Sequence, residues 1–421
     1  MIVATLIMII GLAVVAALSH WKGYRCGGVM GIPLLAIYTF REPVSPLIFF
    51  IGVVGVWGVL WLTREHTLYH GRRVFLIGVG TSVFITTIVA YSVVAYSSID
   101  FSLAEIEVVA SIFPGVAAYN LMRIPPENRL KDIIIQLLTF SGLIAVGAGG
   151  VLFFQGQAYP TAPVLSLPTG GLFVWLRIDP QGTAVTRVVP HWLSTGLLAI
   201  DVIIYELIRN RYEITLAGIV VIPLLAIFSV QFEYIPVIFA IGATIAYSII
   251  SVTHWLTLLY GRVLLGVSII FGISYTFALS WLTFIHIPGI TLLFIGLFVG
   301  VASHNLHQSS PKTRTASVCI SAGLFVTFYM ILLVFIEIPP SGLFTANYGA
   351  YLIVGVATLV LAFGQIYQLE CSRPSVAEFA YASVFEDADP NDPGTVDSPL
   401  VSNSNEPSHD AESQRSRDDK L

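Results

Sequence analysis

Long apolar stretches, separated by short polar segments, run along most of the chain. Residues 2–18, 47–62, 133–154 and 348–363 are among them, and each approaches the roughly 20 residues that a helix needs to cross a bilayer. A test of helical period adds little, because these stretches are apolar on every side. Strands of a membrane barrel would alternate and be about half as long. The pattern therefore predicts an all-α, polytopic integral membrane protein.

About thirteen helical spans are predicted. The first six lie near residues 2–18, 26–40, 47–62, 74–97, 103–122 and 132–154. A second six lie near residues 191–208, 215–229, 236–253, 263–284, 287–304 and 315–336, and one more lies near 346–366. The first stretch lacks the basic start of a signal peptide and has a counterpart in the second set, which favours a retained helix.

Three short segments recur in the same order and at a nearly constant offset along the chain. Ile-Pro-Leu-Leu-Ala-Ile begins at Ile32 and again at Ile222. Thr-Leu-x-x-Gly-Arg begins at Thr67 and Thr257, and Gly-Val-Ala-x-x-Asn-Leu begins at Gly115 and Gly300. Three matches in order indicate an internal duplication. The predicted parts are a first membrane repeat at 1–154, an external loop at 155–190, a second repeat at 191–336, an additional span within 337–370 and a tail at 371–421.

Composition agrees with this pattern and sets the tail apart. Hydrophobic residues make up 56% of the chain and charged residues 11%, with a mean hydropathy of +0.84, whereas a soluble domain carries about 25% charged residues. In the tail, acidic residues outnumber basic ones by 11 to four, and Asp, Ser, Pro and Asn dominate from Asp387 onward. Such a segment has too little apolar surface to pack, which predicts a disordered, acidic tail.

The basic residues predict the orientation of the chain in the membrane. With the N-terminus outside, all of the 20 Lys and Arg except Arg41, Arg177 and Arg187 lie on the cytoplasmic side, as the positive-inside rule expects. Six spans per unit mean that both copies point the same way, as a parallel repeat. The predicted location is the plasma membrane, with the tail in the cytoplasm.

The second span of each unit is short and contains a proline, Pro33 or Pro223. Proline removes a helix donor and kinks the chain. Re-entrant hairpins would move the following loops to the other side and remove the charge bias, so kinked, thin spans are predicted instead. Matched, proline-interrupted segments in two halves point to a functional centre, but a plain packing kink explains them as well. A further kink is predicted at Pro114 and Gly115, where the second copy lacks the proline.

Motifs of soluble catalysis do not occur in the sequence. It has no GxxxxGK[ST], GxSxG or HExxH pattern, so an ATP-driven step would require a separate partner. The three cysteines, Cys26, Cys319 and Cys371, are far apart and have neither the spacing of a zinc site nor that of a disulfide framework. No cofactor and no metal site are predicted.

Polar residues at the predicted membrane boundary are the candidates for function. In the loop at 67–73, Gly71 permits a tight turn, and Arg72 has the forked geometry that pairs with carboxylate or phosphate. Gly261 and Arg262 stand at the same place in the second copy. Two interpretations remain open for these arginines: anchors at lipid headgroups, or ligands for an anionic substrate or partner.

Five other polar side chains lie within or near the predicted spans. Asn120 and Asn305, near the ends of the fifth spans, are interpreted as interhelical hydrogen-bonding groups or as part of a site. Acidic residues within a membrane are costly and are therefore candidates for function. Glu105 and Glu107 fall at the outer end of span five, and Asp201 falls within span seven.

Each copy resembles the CapC/PgsC membrane subunit of the poly-γ-glutamate capsule synthase. The similarity lies in a Gly/Pro element after the first helix, a Leu-Tyr-Gly-Arg-Arg turn and a Pro-Gly-x-x-Ala-Asn element. The corresponding segments are 27–35, 68–73 and 114–120 in the first copy, and 218–225, 259–262 and 300–305 in the second. The sequence departs from this pattern in having Ile-Pro-Leu for Pro-Gly-Tyr, a histidine before Gly71, and Val263 for a second arginine.

The resemblance implies a non-catalytic subunit of a synthase and export complex. Its expected partners are an ATP-dependent amide ligase like CapB/PgsB, an export subunit like CapA/PgsA, and membrane lipids, but no nucleic acid. Arg72, Arg73 and Arg262 would then steer the carboxylates of polyglutamate, and the elements around Pro33 and Pro223 would line a path.

Other functions remain open from the sequence. A stand-alone secondary transporter is the main alternative, because parallel repeats and broken spans occur in transporters. A membrane polymerase or glycosyltransferase would need a convergent acid/base cluster, which the sequence does not indicate. A pure assembly scaffold is the third alternative.

Overall fold

The structure is a computed structural model that describes residues 2–41, 43–69, 71–96, 111–154, 189–282, 287–336 and 348–373. Within these residues the chain forms thirteen α-helices and no strand, which confirms the predicted all-α class. The helices are α1 (Ile2–Lys22), α2 (Gly31–Arg41), α3 (Ser45–His66), α4 (Arg72–Tyr96), α5 (Phe113–Met122), α6 (Pro126–Phe154), α7 (His191–Tyr212), α8 (Val221–Gln231), α9 (Ile235–Thr257), α10 (Gly261–Leu282), α11 (Gly289–Gln308), α12 (Pro311–Phe335) and α13 (Tyr348–Cys371).

Nine of the described helices are long and apolar enough to cross a membrane, which agrees with a multi-pass membrane protein. They are α1, α3, α4, α6, α9, α10, α11, α12 and α13. Helices α2, α5 and α8 have only 10 or 11 residues, which is about 16 Å of helix at most. The described part of the predicted fifth span is residues 111–122, which contain α5. Glu105, Glu107, the 155–190 loop and residues 374–421 of the tail lie outside the described residues.

The predicted duplication is visible in the order of the helices. Helices α1–α6 and α7–α12 follow one another in the same way, and α2 and α8 have equal lengths and begin at matching positions, Gly31 and Val221. The repeats interlock reciprocally, because α1 packs against α10 and its counterpart α7 packs against α4, the counterpart of α10. This pairing is expected of two like units related by an approximate twofold axis.

The prolines of the second spans do not kink a helix. Pro33 is the third residue of α2, and Pro223 is the third residue of α8. The N–H groups of a first helical turn have no partner within the helix, so a proline there removes no hydrogen bond. The predicted mid-span kinks are therefore corrected: the break is the non-helical backbone at 23–30 and 213–220, and each proline helps to start the short helix after it. Pro114 is likewise the second residue of α5.

The broken second segment of the first repeat follows α6 along most of its length. At one end, the backbone N–H groups of Arg25 and Cys26 donate to Asp132 Oδ1 at 2.9 and 3.2 Å. At the other end, a Cβ placed on Gly147 would overlap the ring of Phe40. Asp132 and Gly147 are fifteen residues apart on α6, or about 22 Å. The segment thus traverses the bundle and does not fold back as a hairpin, because its two ends meet opposite ends of one helix.

The core lies where the two repeats meet. Helix α11 is the most enclosed of the nine long apolar helices, with 83% of its apolar window buried inside the protein. The main hydrophobic cluster joins α11 to α1 and α2 of the first repeat and to α8 and α10 of the second. Since this core is shared, the two repeats form one packed body within residues 2–370.

Candidate functional site

A cavity of about 820 Å³ lies between the two repeats. Its walls are the segments before α2 and α8, the starts of α4 and α10, the ends of α5 and α11, and one face of α7. Four arginines line it, and none of its described lining residues is acidic. The arginines are Arg72, Arg123, Arg209 and Arg262. Each repeat contributes two of them.

Glycine turns place Arg72 and Arg262 at the mouth of the cavity. Arg72 is the first residue of α4, and Arg262 is the second residue of α10. The glycines beside them have positive φ angles, +61° at Gly71 and +64° at Gly261. A Cβ at either glycine would meet nothing within 4 Å. The glycines are therefore required by the left-handed turn and not by lack of space.

Arg262 is held by a hydrogen bond that joins the two repeats. Its Nη2 donates to Asn120 Oδ1 at 2.9 Å, while Asn120 Nδ2 donates to the carbonyl of Val116 at 2.9 Å. In the second repeat, Asn305 Nδ2 donates to the carbonyl of Ala217 at 2.9 Å. Both asparagines line the cavity, but Asn120 orients an arginine, and Asn305 holds the backbone before α8.

Arg72 is held chiefly by the face of an aromatic ring. Its guanidinium carbon lies 5.0 Å from the ring centre of Tyr205 on α7, a cation–π contact. Glu206 Oε2 is 3.9 Å from Arg72 Nε, and both atoms are buried without a hydrogen-bond partner. The ion pair is therefore long, and the Nε donor of Arg72 makes no hydrogen bond to any residue that the structure describes.

Arg25 does not line the cavity, but its positive charge acts on Arg262, which does. Burial lowers the pKa of the Arg25 guanidinium, and the charge of Arg123 lowers it further. Arg25 Nη1 is buried and has no hydrogen-bond partner. The carboxylate of Asp132 accepts the two backbone N–H groups of Arg25 and Cys26 and the side-chain amide of Gln136. Arg25 is therefore acted on both by the positive charge of Arg123 and by the negative charge of Asp132.

The charged mouth leads to an apolar floor. Val79, Ile112 and Phe113 of the first repeat and Leu297 and Phe298 of the second line it. Val79 is seven residues beyond the first residue of α4, which places the floor about 10 Å below the mouth. The cavity thus has arginine side chains at one end and apolar side chains at the other, and we call it the vestibule.

A family model of capsule biosynthesis CapC matches residues 10–130 and 200–315, more than half of the chain. Each match covers most of one repeat, and together they include all four arginines of the vestibule. This chain belongs to the capsule biosynthesis CapC family. It is a membrane subunit of capsule biosynthesis in a tandem-duplicated form. No curated protein and no solved structure matches it.

One predicted site residue of this CapC protein lies away from the vestibule. Arg73 is exposed, and its guanidinium carbon is 5.9 Å from the ring centre of Tyr69. Adjacent residues of a helix point about 100° apart, so Arg73 does not line the cavity that Arg72 lines. Of the three arginines predicted to act together, the structure brings Arg72 and Arg262 to one cavity and leaves Arg73 outside it.

Of the remaining predicted residues, Asp201 on α7 is fully buried, does not line the vestibule and has no hydrogen-bond partner for its carboxyl group among the described residues. The three prolines and Gly115 are packing elements. A Cβ on Gly11 would lie 2.6 Å from Pro33 Cγ, and one on Gly52 would lie 3.2 Å from Pro114 Cβ. Each proline thus rests against a glycine of a neighbouring helix. Pro223 is buried at the corresponding position of the second repeat, and a Cβ on Gly115 would overlap the backbone of α4. None of these four residues lines the vestibule.

Arg123 and Arg209 line the vestibule but were not predicted as site residues. In the sequence they contributed only to the positive charge of two separate loops. Arg123 follows Asn120 by three residues, so its nearness to a predicted site residue was the available signal. The sequence contains no comparable signal for Arg209, because its place depends on how α7 packs against α4.

Proposed function

We propose that this CapC protein is the membrane subunit of a poly-γ-glutamate synthase and export complex, and that its vestibule receives the carboxylates of the polymer. The observation that carries the proposal is the convergence of four arginines from both repeats on one cavity without a described acidic lining residue. A γ-linked glutamate chain carries one free carboxylate per residue, and the guanidinium fork binds carboxylates in a planar, bidentate way.

An unused hydrogen-bond donor and the repulsion among the arginines both support binding of a polyanion. Among the described residues, Arg72 Nε is a buried donor without a hydrogen-bond partner, and its nearest carboxylate oxygen, Glu206 Oε2, is 3.9 Å away. Leaving a buried donor unpaired costs about 1–3 kcal/mol, whereas a hydrogen bond to a charged group contributes about 1.5–3 kcal/mol. A carboxylate in the vestibule would offset the repulsion among the four arginines that line it.

The proposed orientation puts the mouth of the vestibule in the cytoplasm. Its four arginines border predicted loops that carry most of the basic residues, and such loops remain inside. We assign amide-bond formation to an ATP-dependent ligase like CapB/PgsB that docks at the mouth. A CapA/PgsA-like subunit would take up the polymer outside. The N-terminus would then be outside and the C-terminus cytoplasmic.

Binding of a short polymer to the full-length protein tests the proposal. A fluorescent γ-linked glutamate tetramer would be titrated against protein in nanodiscs, with binding followed by polarisation. The variant Arg72→Gln with Arg262→Gln should bind about tenfold more weakly, since losing about 1.4 kcal/mol has that effect. Arg73→Gln is the matched control, because it removes a neighbouring charge outside the vestibule, and it should bind like the wild type.

Two further arms make the result decisive. The same tetramer with its free carboxylates converted to amides should bind weakly to the wild type. In a host lacking the gene, cell-surface γ-linked polyglutamate should be restored by Arg73→Gln but reduced with the double variant. Equal tetramer binding by the double variant and Arg73→Gln, or equal binding of the neutral tetramer, would refute the proposal.

A further inference from the structure

Four aromatic rings lie together at and beyond the floor of the vestibule. The ring centres of Phe228, Phe294 and Phe298 are 6.1 Å from one another. Tyr38 adds a fourth ring, 6.2 Å from Phe294. Phe294 is fully buried, and Phe298 is 1% exposed. Because Phe298 also lines the vestibule, the cluster begins where the cavity ends.

The cluster lies where the two repeats meet. Tyr38 and Phe228 are each the eighth residue of their helix, and they therefore occupy the same position on α2 and α8. Both of their rings contact one residue, Phe294 of the central helix α11. Two equivalent residues can reach a common neighbour in this way only near the axis that relates the repeats. The vestibule, which is built from equivalent parts of both repeats, lies on the same axis.

Two of the four rings belong to the two broken segments of the fold. Gly31 and Val221 line the vestibule at the first residues of α2 and α8. Tyr38 and Phe228 lie seven residues further along these helices, about 10 Å deeper. Glycines with positive φ precede both helices, +107° at Gly28 and +154° at Gly218. Tyr38 and Phe228 therefore each lie on a short helix that follows non-helical backbone, whereas Phe294 and Phe298 lie on the long helix α11.

From this arrangement we infer that the axis between the repeats is a conduction path for an anionic polymer, closed by Tyr38, Phe228, Phe294 and Phe298. The inference rests on the proposed function, since the vestibule would be the cytoplasmic entrance of this path. An apolar constriction excludes ions by dewetting, and the negative face of an aromatic ring repels carboxylates. Displacement of α2 and α8 about their non-helical segments would separate the rings. Arg41, 8% exposed, lies three residues beyond Tyr38 at the other end of α2.

Efflux from proteoliposomes tests whether these rings close a path. The full-length protein would be reconstituted with a radiolabelled γ-linked glutamate trimer inside. Wild-type vesicles should retain the trimer, and Phe294→Ala with Phe298→Ala should release it at least tenfold faster. The matched control is Phe49→Ala with Phe50→Ala, which removes two rings of the same core that are 5.4 Å apart on α3 and do not line the vestibule. Vesicles with this control should release the trimer at the wild-type rate.

Further arms separate a closed path from loss of structure. Thermal unfolding would show whether both double variants are equally folded. If the Phe294→Ala and Phe298→Ala protein does not fold, Phe228→Ala takes its place, because it removes only a half-buried ring. This single variant should also release the trimer faster than the wild type. No increase in efflux, or an increase equal to that of the control, would overturn the inference. Adding Arg72→Gln and Arg262→Gln to the leaking variant should slow the trimer but not sucrose. If efflux rises without this charge dependence, the closed path stands and the polyglutamate assignment fails.

Discussion

The backbones of α4 and α5 are in contact at Gly115, so even the methyl group of an alanine at this position should push the two helices apart. A Cβ on this residue would overlap the carbonyl oxygen of Gly78 and lie 2.8 Å from Ser82 Cβ. The Gly115 N–H also donates to Ser82 Oγ at 2.8 Å. A flexible side chain can move away from a new methyl group, whereas a backbone carbonyl within a helix moves only if the helix moves.

The size of the effect follows from these contacts. Overpacking by a methylene typically costs about 1–3 kcal/mol, while alanine in a helix is favoured over glycine by about 0.5–1 kcal/mol. Gly115→Ala should therefore lower the free energy of unfolding, by up to about 2 kcal/mol after this offset. Gly80→Ala is the matched control on α4, because a Cβ there would meet nothing within 4 Å. It should be neutral or stabilising.

Chemical denaturation in one detergent, followed by intrinsic tryptophan fluorescence, measures both variants. Gly300→Ala extends the test to the second repeat, where a Cβ would lie 2.5 Å from Ile269 Cα, and it should also destabilise. If Gly115→Ala proves as stable as Gly80→Ala, the backbones of α4 and α5 are not in contact, and the helix crossing described here is wrong.

Two further predictions concern the segment before α2. Asp132→Ala should lower the free energy of unfolding by about 1–3 kcal/mol for each buried donor that loses its acceptor, and these donors are the N–H groups of Arg25 and Cys26. Asp132→Asn keeps one carbonyl oxygen and should lower it less. Equal denaturation midpoints for the two variants would contradict this. The Cys26 thiol is fully buried and should resist maleimide at pH 8, while the exposed Cys371 is labelled. Equal labelling in peptide mass spectra of the folded protein would rule this out.

The architecture was largely predictable from the sequence. A bilayer demands apolar stretches of a certain length, so composition and length alone indicate the helices. Duplication leaves matching residues at a nearly constant offset, which is why the pairs Pro33 and Pro223, and Arg72 and Arg262, were found together. The vestibule was partly predictable for the same reason, since its glycine–arginine turns and Asn120 belong to the recurring motifs.

The tertiary structure decided what these residues do. Apolar helices are alike in sequence, so the pattern does not say which of them become neighbours or which faces meet. Arg123 and Arg209 became parts of one cavity, and Arg73 did not, because of how α4, α5 and α7 pack. Pro33 proved to begin a helix because the break in the backbone precedes it. Sequence patterns therefore predict which segments form helices and where they begin. The convergence of side chains from both repeats on one cavity is decided only by how those helices pack together.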